Sequence, residues 1–358
     1  MSRFKLEWKS RKLTLRNVFT ISRSSRSHVE NIFVHLSADG FTGYGEASPN
    51  SRYDEYPESV VAYLESLPDD FFDDIEQAET LTTRLDDHKG HKPVQSAKAA
   101  IEMAWLDWWG KSQGQPVWRL WGHDSPVGPI TSYTIGIDSP EKMQQKIREA
   151  SQYPVYKIKL GTDHDRELIA AIREVTDKPI RVDANEGWTS IDQPIRVDAN
   201  EGWTSIDQAK KEIAYLADQN VELIEQPMPA AMLDEMKQLK SWSPIQLCAD
   251  ESFEGDEKLE DLSQAFDVLN IKLMKIGSVV KARQVIQQAR QLGLHIMIGC
   301  MIESSLANAA GALVALEAQY ADLDGHLLIG NDPFSGLNLN EDKNVVLSDA
   351  PGLGMRFV

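Results

Sequence analysis

An α/β barrel of eight strands and seven helices, preceded by an α+β region, is the fold class the sequence predicts. Three observations predict it. From about Pro129, short apolar runs alternate with helical stretches, which is the pattern of βαβ units on a parallel sheet. No GxGxxG follows the first run, so an open dinucleotide-binding sheet is disfavoured. Polar residues recur at the C-terminal end of nearly every run, where a TIM-like (β/α)7β barrel carries its chemistry.

In chain order, RKLTLRNVFTISR and ENIFVHLSADGFTGYGEASP read as strands, with turns at Asp39-Gly40 and Gly43. PESVVAYLESL, DIEQAETLTTRL and SAKAAIEMAWLDWWGKSQ read as helices. The last carries Ile101, Trp105, Leu106 and Trp109 on one apolar stripe. Trp105, Trp108 and Trp109 are read as packing residues rather than as a ligand box. GQPVWRLWGHDSP marks a boundary, placing residues 1–125 in a first domain and 126–334 in the barrel, with a tail of about 335–358 returning to the first domain. The barrel strands are ITSYTIGI, VYKIKLG, PIRVDAN, VELIEQP, IQLCADES, VLNIKLM, HIMIGCM and DLDGHLLI. Seven helical stretches separate them, from SPEKMQQKIREAS to SSLANAAGALVALEAQY.

Composition narrows the function classes. The chain of 358 residues is 42% hydrophobic and 26% charged, as soluble globular proteins are. Its net charge of −18 argues against nucleic acid and anionic membranes as partners and leaves room for a metal cation. Cys248 and Cys300 form no CxxC pattern, so neither a zinc cluster nor a disulfide framework is expected. No leader or membrane-spanning run is evident, and a cytoplasmic protein is the expectation. A homo-oligomer is compatible with the sequence.

The strand ends carry Lys157 and Lys159, then Asp183 or Asp198, then Glu225, Asp250 and Lys272. A charge in a barrel mouth is costly unless paired or metal-bound, so this series points to chemistry rather than packing. Strands two and six of an eight-stranded ring lie opposite each other. Lys159 and Lys272 therefore face across the mouth, and the carboxylates line the wall between them. Lys157 shares the face of Lys159. Three carboxylates with no His or Cys suit Mg²⁺, with Mn²⁺ as a substitute, rather than zinc. A lysine of pKa ~10.4 is a poor base at neutral pH. A divalent cation and a second ammonium such as that of Lys157 would lower it. Proton abstraction beside a carboxylate, through an enediolate, is the chemistry implied. Asn185 or Asn200 would share the face of the strand-three Asp and orient a ligand. His295 opens its strand away from the mouth and reads as structural. Nothing marks Cys300 as a nucleophile.

These segments, YKIKLG, RVDANEGW, IEQP, ADES and NIKLMKIGS, resemble the enolase superfamily in its muconate-lactonizing subgroup, over nearly the whole chain. The resemblance implies that the first domain is a capping domain closing the barrel mouth through two mobile loops, roughly Thr20 to Arg26 and Ser48 to Tyr56. GCMIESS followed by DLDGHLLIGNDPFSG resembles the dipeptide epimerases. That implies an isomerase inverting the α-carbon of the C-terminal residue of a dipeptide, Ala-Glu-like or another Ala-X. Lys159 and Lys272 would act on opposite faces, and Asp322 and Asp324 would bind the substrate amino group. Lys272 is chosen over Lys275 as the first lysine of its segment, and Lys275 is read as a surface lysine at a helix entry. Arg23 and Arg26 could meet a substrate side chain. Competing readings on the same fold are o-succinylbenzoate synthase, N-acylamino acid racemase and muconate cycloisomerase activities, or a non-catalytic protein with an impaired metal site.

The last reading stays open because of a 15-residue tandem duplication. Pro179–Gln193 and Pro194–Gln208 are identical, each with a strand-three Asp. A closed barrel has one slot for this strand. A spare loop costs only a few kcal/mol of closure entropy on either face, but on the catalytic face it would also crowd the site. The second copy is therefore expected to fill the slot, with Asp198 as the ligand and Pro179–Gln193 looped out on the opposite face.

Overall fold

The protein is represented by a computed structural model, which describes residues 3–21, 24–88, 92–160, 164–183 and 205–358. Eight short parallel strands form one sheet in sequential order: Tyr133–Ile135, Tyr156–Lys159, Ile180–Asp183, Val221–Glu225, Gln246–Ala249, Val268–Lys272, His295–Gly299 and Tyr320–Asp322. A parallel bridge between Thr131 and Ala321 joins the first strand region to the last, so the sheet curls into the expected barrel. The strands are rich in Val, Ile and Leu because both of their faces are buried.

The helices between them start where their caps direct. Ser139 accepts from Lys142 N with Pro140 in the first turn, and Ser205, Ser278 and Ser304 cap the helices that follow them. Among the described residues no helix is long and apolar enough to cross a membrane.

Two strand assignments differ from expectation. The eighth strand is Tyr320–Asp322, and Gly325–Leu328 is a short helix rather than strand. The apolar string HLLI is too short to distinguish a strand from a helical turn by periodicity. The third strand is Ile180–Asp183, from the first copy of the duplication, which overturns the expectation that this copy loops out. The entry to the strand explains why. Arg173 donates to the carbonyls of Lys178, Gln219 and Asn220, and Lys178 donates to those of Ser151 and Tyr153. The preceding helix is thereby tied to the turn that leads directly into Ile180. The second copy supplies Ser205, which caps the helix Ile206–Ala217. Each copy thus keeps the one junction that is native to it. Asp198, Asn185, Asn200 and Arg23 lie outside the described residues.

The N-terminal region is a three-stranded antiparallel sheet, Lys5–Ile21, Ser24–Ala38 and Phe41–Ala47, covered by the helix Gln95–Ser112. Its first two strands pair as far as Ile21 with Ser24, so the described residues of the segment expected as a loop, 20–21 and 24–26, are strand. Helix and sheet meet at Gly43 and Gly45, where a Cβ would overlap the carbonyls of Ala104 and Ala100. Trp105 and Trp108 are buried in this layer, and Trp108 Nε1 donates to Ala38 O at 3.0 Å. The C-terminal segment returns here: Phe334 and Phe357 pack around Tyr44, and Leu353 N donates to Asp107.

Buried carboxylates fasten this sheet and helix to the barrel. Glu46 accepts from Asn31 Nδ2 at 2.8 Å and from Ser304 N at 3.0 Å. Glu102 accepts from Val280 N and Ser278 Oγ, both at 2.7 Å. Ser48 Oγ donates to Ile302 O.

Candidate active site

Register assembles the site. Lys159 pairs with Asp183, Asp183 with Glu225, and Glu225 with Cys248. On the other side Lys272 pairs with Gly299, and Gly299 with Asp322. Residues at matched register in a parallel sheet point to the same face. Lysines and carboxylates are thus set side by side at one level of the barrel mouth. Asp250 follows the fifth strand, two residues beyond Cys248 and on its side.

Gly299 is the gap in this ring. A Cβ there would lie 2.6 Å from Asn270 Oδ1 and 3.1 Å from Lys272 Cε, so the Lys272 stem crosses over the glycine.

Every charged residue expected at the strand ends, apart from Asp198, stands in this mouth. Lys157 Nζ lies 2.9 Å from Asp183 Oδ2, 2.7 Å from Glu225 Oε2 and 2.7 Å from Asp322 Oδ2. Lys159 is bonded to Asp183. Lys272 Nζ lies 2.6 Å from Asp250 Oδ2. Asp322 also accepts from Ser132 Oγ at 2.5 Å, and Asp324 from Thr134 N at 2.6 Å. One cavity is bounded by Lys157, Lys159 and Lys272, by Asp322 and Asp324, and by Phe19, Arg26, Asn50 and Tyr53 from the N-terminal region. His295 is exposed at the far end of its strand. Cys300 lines the cavity, and burial pushes its thiol well up, which keeps it un-ionised.

Electrostatics follows from burial against partners. Burial works to raise Asp183 and Asp250, but the adjacent ammonium groups outweigh it and hold both below the usual carboxylate range. Burial pushes Glu225 up to about 8, helped by the charges of Asp183 and Asp250. Burial would lower Lys157 and Lys272, but the facing carboxylates raise both well above an ordinary lysine. Asp324 is pushed up to about 7, by burial first and Asp322 second.

Sequence reasoning missed three residues. Lys275 is buried and donates to Asp250 Oδ1 at 2.7 Å, so its reading as a surface lysine is overturned. The helix it enters is only one turn long and packs inward, so no face of that turn reaches solvent. Gln226, at φ +41, accepts from Asp250 N and Ser252 N. Asn270 Nδ2 donates to Glu225 Oε1 at 2.8 Å, while its buried Oδ1 has no partner.

In chemistry, this donor set fits a hard divalent ion. Asp183, Glu225 and Asp250 offer only carboxylate oxygens, buried and already gathered around cationic groups. In arrangement, ammonium groups hold them: among the described residues no three acidic, His or Cys side chains form a ready-made metal cage. The fit therefore rests on the donor chemistry and on the orphaned Asn270 oxygen beside Glu225.

Comparison with known proteins agrees with this geometry. Residues 6–122 match the mandelate racemase / muconate lactonizing enzyme N-terminal domain, and residues 189–358 match the enolase C-terminal domain-like family. The chain is 37% identical to the L-Ala-D/L-Glu epimerase of Bacteroides thetaiotaomicron, over 96% of this chain and 85% of that protein. It is 33% identical to an L-Ala-D/L-amino acid epimerase of a Maribacter species, over 96% of each. Among solved structures, the L-Ala-D/L-Glu epimerase of Bacillus subtilis superposes with a TM-score of 0.86 at 26% identity, covering 99% of both chains. A dipeptide epimerase of Enterococcus faecalis, solved with Mg and L-Leu-L-Tyr, superposes with a TM-score of 0.85 at 29% identity, again over 99% of both chains. This chain belongs to the mandelate racemase / muconate lactonizing enzyme family of the enolase superfamily.

Proposed function

We propose that the protein is a Mg²⁺-dependent dipeptide epimerase that inverts the α-carbon of the C-terminal residue by two-base 1,1-proton transfer. One observation carries the reading: Lys159 and Lys272, from opposite strands, share a cavity with the buried pair Asp322 and Asp324. Inversion needs a proton carrier on each face of one carbon, and a dipeptide needs an anionic anchor for its ammonium group. β-Elimination and cycloisomerisation need no such anchor.

Asp183, Glu225 and Asp250 would hold the metal. When bound, Mg²⁺ supplies positive charge next to the substrate carboxylate, where negative charge develops as the α-proton leaves. Asp322 and Asp324 take the ammonium group and fix the substrate across the mouth. One lysine Nζ removes the α-proton, and the opposite Nζ delivers one to the other face. Lys157 stays cationic among Asp183, Glu225 and Asp322. Ala-X dipeptides, with Ala-Glu foremost, are the substrates to try. In this account residues 1–125 and the returning tail, about 335–358, form the cap over the barrel of residues 126–334.

The test is chiral analysis of dipeptides incubated with the protein and Mg²⁺. The expected result is inversion of the C-terminal residue for dipeptides with a free amino group, and much slower inversion of their N-acetyl derivatives. Failure to invert any member of a broad dipeptide library would refute the proposal.

A further inference from the structure

We infer that Lys275 is a positioning residue for the metal site: it anchors Asp250 from behind, so that one carboxylate oxygen faces the mouth. This rests on the reading of Asp183, Glu225 and Asp250 as the metal-holding set.

Lys275 Nζ donates twice to the same residue, to Asp250 O at 2.5 Å and to Asp250 Oδ1 at 2.7 Å. Both side chains are 1% exposed. Lys272 takes the other oxygen, Oδ2, at 2.6 Å. The two carboxylate oxygens of Asp250 are therefore distinguished: Oδ1 is tied to the scaffold, and Oδ2 faces the lysine of the mouth. The Asp250 backbone is held as well, its N–H by Gln226 Oε1 at 3.0 Å and its carbonyl by Lys275.

A lysine is usually a poor anchor, because its long stem gives up rotamer freedom to hold one geometry. Here the backbone beneath it leaves little freedom to lose. Lys275 sits in the single-turn helix Leu273–Ile276, whose other three residues are buried. The turn ends at Gly277, at φ +76, where a Cβ would collide with the Gln95 side chain. Ser278 then caps the next helix and donates to Glu102 on the helix Gln95–Ser112. Lys275 thus projects from a turn clamped on both sides, into a place already shaped by Asp250. Partners that orient metal-ligating side chains in this way typically contribute roughly ten- to a hundredfold to metal affinity.

Coulomb repulsion acts in the other direction, since Lys275 is a cation near a site for a cation. The experiment separates the two effects. Mg²⁺ binding is measured by calorimetry, and Mn²⁺ binding by paramagnetic resonance, on the full-length protein and its Lys275→Met and Lys275→Gln variants. We expect Lys275→Met to weaken both metals by roughly ten- to a hundredfold. Lys275→Gln, which keeps one donor, should weaken them less. Saturating Mg²⁺ should then restore most of kcat, placing the defect in metal affinity. If Lys275→Met does not fold, Lys275→Gln, which retains a polar donor group, carries the test alone. Affinity equal to or tighter than that of the parent protein overturns the inference, as does a kcat that saturating Mg²⁺ does not recover. A parent protein that binds neither metal overturns the proposed function and this inference together, a result distinct from a parent that binds and a variant that is unaffected.

Discussion

Gly299 shows how much of the mouth is set by a side chain that is absent. A Cβ there would meet Asn270 Oδ1 at 2.6 Å and come within 3.1 Å of the Lys272 stem. A methyl group there must push one of them aside. Misplacement of a catalytic group by about 1 Å costs on the order of a hundredfold in rate. Gly299→Ala should therefore remain folded and lose roughly ten- to a hundredfold in kcat, with substrate KM little changed. Steady-state kinetics on an Ala-X dipeptide reads this directly, and an unchanged kcat would mean that Lys272 is not positioned over that glycine. The same residues show what a sequence discloses. Lys157, Lys159, Glu225, Asp250 and Lys272 were legible because each ends an apolar run, where only chemistry explains a charge. Lys275 and Gln226 were not. Their partner, Asp250, is distant in sequence, and no periodicity signals a lysine turned inward onto a carboxylate.

Among the elements, the third strand holds the unusual history of this chain. The first copy of the duplicated string pairs with Tyr156–Lys159 on one side and Val221–Glu225 on the other. Residues 184–204 separate its Asp183 from the cap of the next helix, Ser205. Asp183→Asn should therefore cut Mg²⁺ affinity at least a hundredfold, roughly, as expected for loss of one of three charged ligands. Asp198→Asn should leave it within about twofold, since the strand slot is already filled. The reverse pattern in calorimetry would assign the slot to the second copy. Deleting residues 184–198 restores a single string while keeping both native junctions. It should raise stability by about 1 kcal/mol through the shorter loop, and denaturant unfolding would detect this. Sequence could not choose between the copies because they are identical. The choice lies in the preceding turn, where Arg173 and Lys178 bind carbonyls from neighbouring elements. The other strands were legible from alternation of apolar runs with capped helices. The eighth was misplaced because its short apolar string also suits a helical turn.

For the molecule as a whole, the N-terminal sheet and helix are held to the barrel by buried carboxylates, and this makes stability depend on pH. Glu102 is fully buried, and burial pushes it up to about 7 despite the donors around it. Its folded value exceeds its unfolded one, so the folded state binds the proton more tightly. The stability this contributes is fully present below the ordinary glutamate value and is lost as pH rises through about 7. Between pH 5.5 and 8 the protein should lose about 2 kcal/mol from this group. Glu102→Gln, which mimics the neutral acid, should show a flatter profile over the same range. Parallel melting curves would reveal it, and identical slopes would mean that Glu102 stays ionised in the fold.

The central claim, that two opposed lysines exchange one α-proton, is tested most directly by deuterium incorporation. The protein with Mg²⁺ is incubated with each epimer of an Ala-X dipeptide in D₂O, alongside Lys159→Met and Lys272→Met. The account predicts that the parent protein places deuterium at the α-carbon of the C-terminal residue from either epimer. Each variant should lose inversion and retain exchange from one epimer only, the two variants with opposite preference. Absence of exchange by the parent across dipeptides, or identical epimer preference in both variants, would contradict it.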